Sequence, residues 1–249
     1  MLHNTFCRRL AALVLTLAVA VSAVLPVFAV YPMPIQTATE TEAVYLFNAD
    51  TGKTLLTQNA DQPRYVASLT KMMTALLLLE SGKDLNGEVT VPTDLTQEFK
   101  DIQNANGTTM GLRIGETVRR IDLLNALLIT SANDAASVIA WDVGGSLNAF
   151  IQQMNARAAE LGCTSATFTC AHGLYDYGNV ASAEDMAKIA AACAANETFA
   201  QVAGSTTYTL GQTNFHSEQR TISSSNPLMD ASGAYYKDSV KWVKGGFTT

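Results

Sequence analysis

One helical run, Ser68 to Ser81, constrains the rest of this chain. It is apolar nearly all the way round, through Leu69, Met72, Met73, Ala75, Leu76, Leu77, Leu78 and Leu79. A helix that is apolar on every face is a buried helix, so other elements must enclose it. Lys71 lies inside this run. A lone buried ammonium carries a large desolvation cost, so it must find partners or give up its proton. Ser68 stands three residues earlier, on the same helical face. A hydroxyl beside an amine of lowered pKa, at a helix N-terminus, is the geometry of an activated serine nucleophile. The four residues alone favour a plainer account, an N-cap serine followed by a lysine that snorkels to the surface. The apolar context and two later motifs reverse that balance.

The N-terminus reads as a targeting segment. Arg8 and Arg9 precede an apolar run from Leu10 to Leu25, and Val27-Phe28-Ala29 has the small-residue pattern of a secretory cleavage site. The run is short for a retained membrane helix, and no basic stop-transfer cluster follows. Residues 1–29 are therefore expected to be a signal peptide, 30–42 a flexible lead-in, and 43–249 the folded domain. Without the leader the chain holds 14 basic and 22 acidic residues, a net charge of −8. An acidic chain with no Lys/Arg cluster argues against nucleic acid as a partner. Cys163, Cys170 and Cys193 remain. Cys163 and Cys170 are close enough in sequence to pair, whereas Cys193, on a helical stretch, reads as a small buried hydrophobe. There is no C-x-x-C or H-E-x-x-H, and only His172 and His216 follow the leader, so a zinc site is not expected.

Taken in order, the chain runs from strands to helices and back to strands. Ala43 to Asn48 and Thr54 to Gln58 form a hairpin about an Asp50-Thr51-Gly52-Lys53 turn. Gly82 closes the central helix. Residues 87–119 look irregular, with short strands and an Asn/Gly/Thr-rich loop from Asn104 to Thr109. A helix is expected over Ile121–Ile129, another from Asp134 to Gly144, and a third over Leu147–Leu161, capped by Ser146. Ser182 and Asp185 give a capping pattern for a helix to about Ala195. Thr206–Leu210 is a strand, with Arg220–Ser223 returning beside it. The last apolar stretch, Val240–Val243, leads into Lys244-Gly245-Gly246 and is expected to be a C-terminal strand. The fold class is α+β: an antiparallel sheet built from N- and C-terminal strands, with a helical lobe inserted between them.

Three stretches then matter together: Ser68-x-x-Lys71, Ser131-Ala132-Asn133 and Lys244-Gly245-Gly246. Each alone has a plain account as a cap or a turn. In this order they resemble the S-x-x-K, S-D-N and K-T-G signature of penicillin-binding proteins and class A β-lactamases, with Ala132 in place of the aspartate and Gly245 in place of the threonine. The chain resembles that superfamily, and most closely the low-molecular-weight serine D-Ala-D-Ala carboxypeptidases. The matching stretches are Ala67 to Ala75, Leu127 to Ala136, Met154 to Gly162, and His172-Gly173-Leu174.

The resemblance implies a β-lactamase/transpeptidase-like fold and a role for each residue. Ser68 would attack the carbonyl between the terminal D-alanines of a peptidoglycan stem peptide, and Lys71, uncharged at rest, would take its proton. Ser131 would relay a proton to the leaving amine. Asn133 would hold the substrate amide and help fix Lys71, and Lys244 would face the terminal carboxylate. Gly246, Phe247 and Thr248 would line the substrate, with backbone N–H groups of Ser68 and Phe247 forming the oxyanion hole. Penicillin and other β-lactams would acylate Ser68. No metal or organic cofactor is implied. His172 is assigned to a loop near the site rather than to acid–base chemistry.

Two departures from the family pattern stand out. The K-T-G threonine is replaced by Gly245, which removes a hydroxyl expected to bond the substrate carboxylate. Two further strands, a C-terminal domain and an amphipathic membrane anchor are also implied beyond Thr249. The sequence therefore reads as truncated, and residues 1–249 are expected to be poorly stable or inactive relative to a longer parent. The rival readings are a serine β-lactamase, for which no glutamate stands in a matching local pattern, and a catalytically silent peptidoglycan-binding protein.

Overall fold

The structure, a computed structural model, describes residues 41–174 and 176–247. The expected signal peptide, nearly all of the lead-in, and Thr248 lie outside the described residues. Among those described, the architecture is α+β, with helices gathered around one buried helix and four two-stranded antiparallel ladders at the margins.

Strands β1 (Val44–Phe47) and β2 (Thr54–Gln58) form the expected hairpin, with Leu46 opposite Leu56. Its turn needs a left-handed residue, and Gly52 supplies one at φ +67°. The chain then passes through β3 (Arg64–Tyr65) into a 3₁₀ turn, Ala67–Thr70, and helix α1 (Lys71–Glu80). Met73, Ala75 and Leu78 of α1 are fully buried, and so is Lys71. Each fully buried Leu or Met contributes about 1.5–3 kcal/mol, which gives this helix its hold on the fold.

Strand β4 (Glu88–Thr90) pairs with β5 (Thr117–Arg119). Between them lies α2 (Thr96–Asn104), a helix in a stretch expected to be irregular. It buries only Ile102 completely, and its apolar stripe is confined to Phe99 and Ile102 in an otherwise polar segment. Next come α3 (Arg120–Asn125), continued by a π-helical turn at Ala126–Thr130, α4 (Asn133–Gly144) and α5 (Leu147–Glu160). The expected cap of α5 is present: Ser146 Oγ accepts from the Ala149 N–H at 3.2 Å. Strand β6 (Val180–Ala181) pairs with β3, a ladder too short to show alternation in sequence. Helix α6 (Ala183–Ala194) starts at Ser182, whose Oγ accepts from the Asp185 N–H at 3.0 Å. Helix α7 (Glu197–Ala203) follows, then β7 (Thr207–Leu210) and β8 (Arg220–Ser223), paired as expected with Tyr208 opposite Ile222. Helices α4, α5, α6 and α7 all pack on α1, which explains why it is apolar on every side.

Two expectations about the strands are corrected. First, no ladder among the described residues joins the β1–β2 hairpin to C-terminal strands; the hairpin packs against α6 instead. Second, residues 240–247 run without ladder pairing, so Lys244 sits on a loop-like segment rather than a strand. Adjacent glycines at 245 and 246 weaken any strand there. Trp242 anchors the segment by packing edge-on to Phe199 of α7, with ring centroids 5.2 Å apart. The state of Cys163 and Cys170, open in the sequence, is that of free thiols with different neighbours. Cys163 Sγ lies 3.6 Å from the Asp185 carbonyl, whereas Cys170 Sγ accepts the Gly173 N–H at 3.2 Å. Cys193 is buried, as expected.

Candidate active site

The site starts from a strained entry into α1. Ala67 has φ +45°, a left-handed conformation uncommon for a residue with a side chain. Gly173, whose own φ is +78°, packs directly against it. A Cβ at position 173 would stand only 1.8 Å from the Ala67 carbonyl oxygen, so only glycine permits this approach. The 3₁₀ turn that follows stacks residues i and i+3, which brings Ser68 Oγ to 2.9 Å from Lys71 Nζ.

Lys71 has three oxygen neighbours: Ser68 Oγ, Asn133 Oδ1 at 2.7 Å, and the His172 carbonyl at 2.6 Å. Burial holds its pKa well below the ordinary lysine value, and the charge of Lys244 lowers it further, against smaller opposing effects of Cys170 and Asp134. A neutral amine has two N–H bonds and one lone pair. Asn133 Oδ1 and the His172 carbonyl can only accept, so together they claim both N–H bonds. The lone pair is left facing the Ser68 hydroxyl, which is the arrangement a general base requires.

Ser131 follows the π-helical turn and adopts φ +62°, ψ +34°. Such insertions and left-handed residues recur at functional sites because they aim a side chain that a continuous helix would misdirect. Ser131 Oγ accepts from Lys244 Nζ at 3.1 Å. Asn133 opens α4, and its Nδ2 donates to the Thr108 carbonyl at 3.0 Å, which fixes the amide so that Oδ1 faces Lys71. Burial draws Lys244 down to about 8. Gly246 lies over the nucleophile's backbone: a Cβ there would be 3.2 Å from Ser68 N and 3.1 Å from the Val66 carbonyl.

Ser68, Ser131, Asn133, Lys244, Gly246 and Phe247 line a single cleft of about 730 Å³, with Lys71 directly beneath Ser68. Every site residue expected from sequence and lying among the described residues is thus brought together; Thr248 lies outside them. The cleft also has two walls that the sequence did not point to. One is the Asn106-Gly107-Thr108 loop, where a Cβ on Gly107 would meet Asn133 Nδ2 at 2.8 Å. The other is the Ser224-Ser225-Asn226 turn after β8. Gly107 was visible only as part of a turn-rich stretch, and nothing local links it to Asn133.

His172 contributes a carbonyl, not its ring, to Lys71. Its Nδ1 accepts the Leu174 N–H at 3.0 Å, and its Nε2 lies 3.0 Å from Glu98 Oε1. Burial disfavours charge on this ring, whereas bonds to Cys170 and Glu98 favour it and raise its pKa. A carboxylate can only accept, so Nε2 is the nitrogen that donates to Glu98.

The profile of the D-alanyl-D-alanine carboxypeptidase family, Peptidase_S11, matches residues 32–249. The chain belongs to this family. It is 33% identical over 153 residues to the D-alanyl-D-alanine carboxypeptidase DacF of Bacillus subtilis (strain 168), covering 61% of this chain and 39% of that protein. It is 32% identical over 175 residues to a D-alanyl-D-alanine endopeptidase of Pseudomonas aeruginosa, covering 70% of this chain and 54% of that protein. The chain therefore spans about two-fifths to about half the length of these curated relatives. Among solved structures it is similar to the crystal structure of the Streptomyces K15 DD-transpeptidase, with a TM-score of 0.69, 30% identity, and coverage of 76% of this chain and 76% of that one. The family's fold, α+β of the β-lactamase/transpeptidase type, is the one described above.

Proposed function

We propose that this chain carries the catalytic centre of a serine-type D-alanyl-D-alanine carboxypeptidase acting on peptidoglycan stem peptides. One observation carries the reading: Lys71 Nζ lies 2.9 Å from Ser68 Oγ and against two obligate acceptors, Asn133 Oδ1 and the His172 carbonyl, so that a neutral amine has only its lone pair left for Ser68. Ser68 Oγ attacks the carbonyl between the terminal D-alanines as its proton passes to Lys71 Nζ. Backbone N–H groups of Ser68 and Phe247 receive the developing oxyanion; one such donor is typically worth about 10²–10³ in rate. The proton reaches the leaving amine through Ser131, whose hydroxyl Lys244 holds in place. The Lys244 charge faces the terminal carboxylate, and Asn133 holds the substrate amide. Gly246 and Phe247 border the bound peptide, and Thr248 takes over part of the role of the family threonine that Gly245 replaces. Once D-Ala leaves, Lys71 is again the base for a water that releases the acyl group.

The same Ser68 would be acylated by penicillin, whose amine leaving group stays tethered and blocks that water. Among the described residues, the cleft lining includes no carboxylate to activate water from another side. That supports slow release of penicillin over a β-lactamase. We place the enzyme outside the cytoplasm, where peptidoglycan lies, on the strength of the Arg8-Arg9 leader and its apolar run. The acidic balance of the chain speaks against nucleic acid as a partner.

Labelling with a fluorescent penicillin tests the proposal. The expected result is a long-lived adduct whose mass maps to Ser68 and is lost in Ser68→Ala. Rapid turnover of nitrocefin would favour the β-lactamase. The absence of any adduct would favour a silent binding protein.

A further inference from the structure

Glu98 lies on α2, away from the cleft lining, yet its Oε1 receives two hydrogen bonds. Ser137 Oγ donates from α4 at 2.9 Å, and His172 Nε2 donates from the loop at 3.0 Å. The two donors belong to the two elements that present acceptors to Lys71. Ser137 stands one turn beyond Asn133 on α4, and its Oγ also lies 3.3 Å from the Asn133 carbonyl. His172 supplies the other acceptor through its own carbonyl. Its ring, bound by Glu98 on one side and the Leu174 N–H on the other, cannot turn without losing both contacts.

We propose that Glu98 is a positioning residue, whose carboxylate clamps the His172 loop to α4 and so keeps both acceptors of Lys71 in register. The inference rests on the carboxypeptidase reading for its consequence in catalysis, although its structural part can be read without turnover. Glu98 is suited to the task because its bond with His172 holds its carboxyl below the usual range, leaving it ionised and purely an acceptor near neutrality. A second tie, Thr74 Oγ1 to the Ala171 carbonyl at 2.6 Å, holds only the preceding residue. Without Glu98 the His172 carbonyl, still flanked by the Thr74–Ala171 bond and the Gly173–Ala67 contact, loses the tie that sets its direction toward Lys71. An N–H of Lys71 can then rotate onto Ser68, and water can enter beside the amine. The charged and titratable groups facing Lys71 are Lys244, Cys170 and Asp134, and that facing Glu98 is His172. Water beside the amine relieves part of the burial that depresses Lys71.

The test compares the full chain with Glu98→Gln and Glu98→Ala by two readouts. The first is titration of the Lys71 amine by NMR of its labelled Cε, assigned with Lys71→Arg. The second is the rate of acylation by penicillin as a function of pH. In Glu98→Ala the Lys71 midpoint should rise, and acylation near neutrality should slow about ten- to a hundredfold, the scale of a small misplacement of reacting groups. Glu98→Gln keeps an acceptor oxygen and should restore acylation to within about threefold, with the midpoint unmoved. If Glu98→Ala does not fold, Ser137→Ala frees only the α4 end of the clamp and should raise the midpoint by a smaller amount. A midpoint unchanged in the alanine variant overturns the proposal, as does a Gln variant that behaves like Ala. A wild-type chain that never gains the drug's mass at Ser68 sinks the carboxypeptidase reading alone, because the titration reads Lys71 independently of turnover.

Discussion

Gly245 stands where the family motif has threonine, and replacing it isolates the contribution of one hydroxyl. A Cβ added at Gly245 meets nothing within 4 Å, and its backbone is not left-handed, so a side chain fits without strain. The neighbouring Lys244 Nζ donates to the Gly245 carbonyl at 2.6 Å, a main-chain bond that the substitution leaves intact. The new Thr hydroxyl can then donate to the substrate carboxylate beside Lys244. A hydrogen bond to a charged group is worth about 1.5–3 kcal/mol, and about 1.4 kcal/mol is tenfold in rate. Gly245→Thr should therefore raise kcat/KM on a D-Ala-D-Ala peptide about ten- to a hundredfold. Gly245→Ala controls for the loss of glycine flexibility and should show no comparable gain. The assay is release of D-alanine under second-order conditions. An unchanged kcat/KM for Gly245→Thr, or an equal gain for Gly245→Ala, refutes the assignment of the lost hydroxyl.

Other outcomes follow from the same geometry. Lys71 acts only when neutral, and burial lowers its pKa, so kcat/KM should rise with pH through a midpoint well below the ordinary lysine value. Lys244 acts only when charged, so kcat/KM should fall as pH passes about 8; a falling limb near the unperturbed lysine value would contradict this. Lys244→Met should remove that alkaline limb, raise KM, and shift the acid limb upward, because the Lys244 charge helps to depress Lys71. Gly173→Ala places a methyl against the Ala67 carbonyl at positive φ. It should cost about 3 kcal/mol, visible as a drop in melting temperature, and abolish acylation; a stable, active variant would contradict the packing. Gly107→Ala should displace the Asn133 amide and slow acylation with little change in melting temperature, since the loop around it is half open.

Local chemistry was legible wherever a single segment carried it. The buried run of α1, the caps at Ser146 and Ser182, the Gly52 turn and the β7–β8 pair each follow from short-range pattern. So did the short list of reactive side chains, because an amine enclosed in an apolar helix, one turn from a hydroxyl, is costly to keep unless it acts on that hydroxyl. Helix α2 and the β3–β6 ladder were hidden because one has a single fully buried residue and the other is two residues long.

What no stretch of residues could announce is which distant atoms meet. Gly173 is silent in sequence until its backbone lies on Ala67, and the His172 carbonyl has no side-chain signature at all. Glu98 looks like an ordinary surface acid until packing sets it between Ser137 and His172. Residue type sets what a group can donate, accept or bury. The direction in which the Lys71 lone pair points depends on two acceptors 62 and 101 residues away, and only the packed chain brings them to one nitrogen.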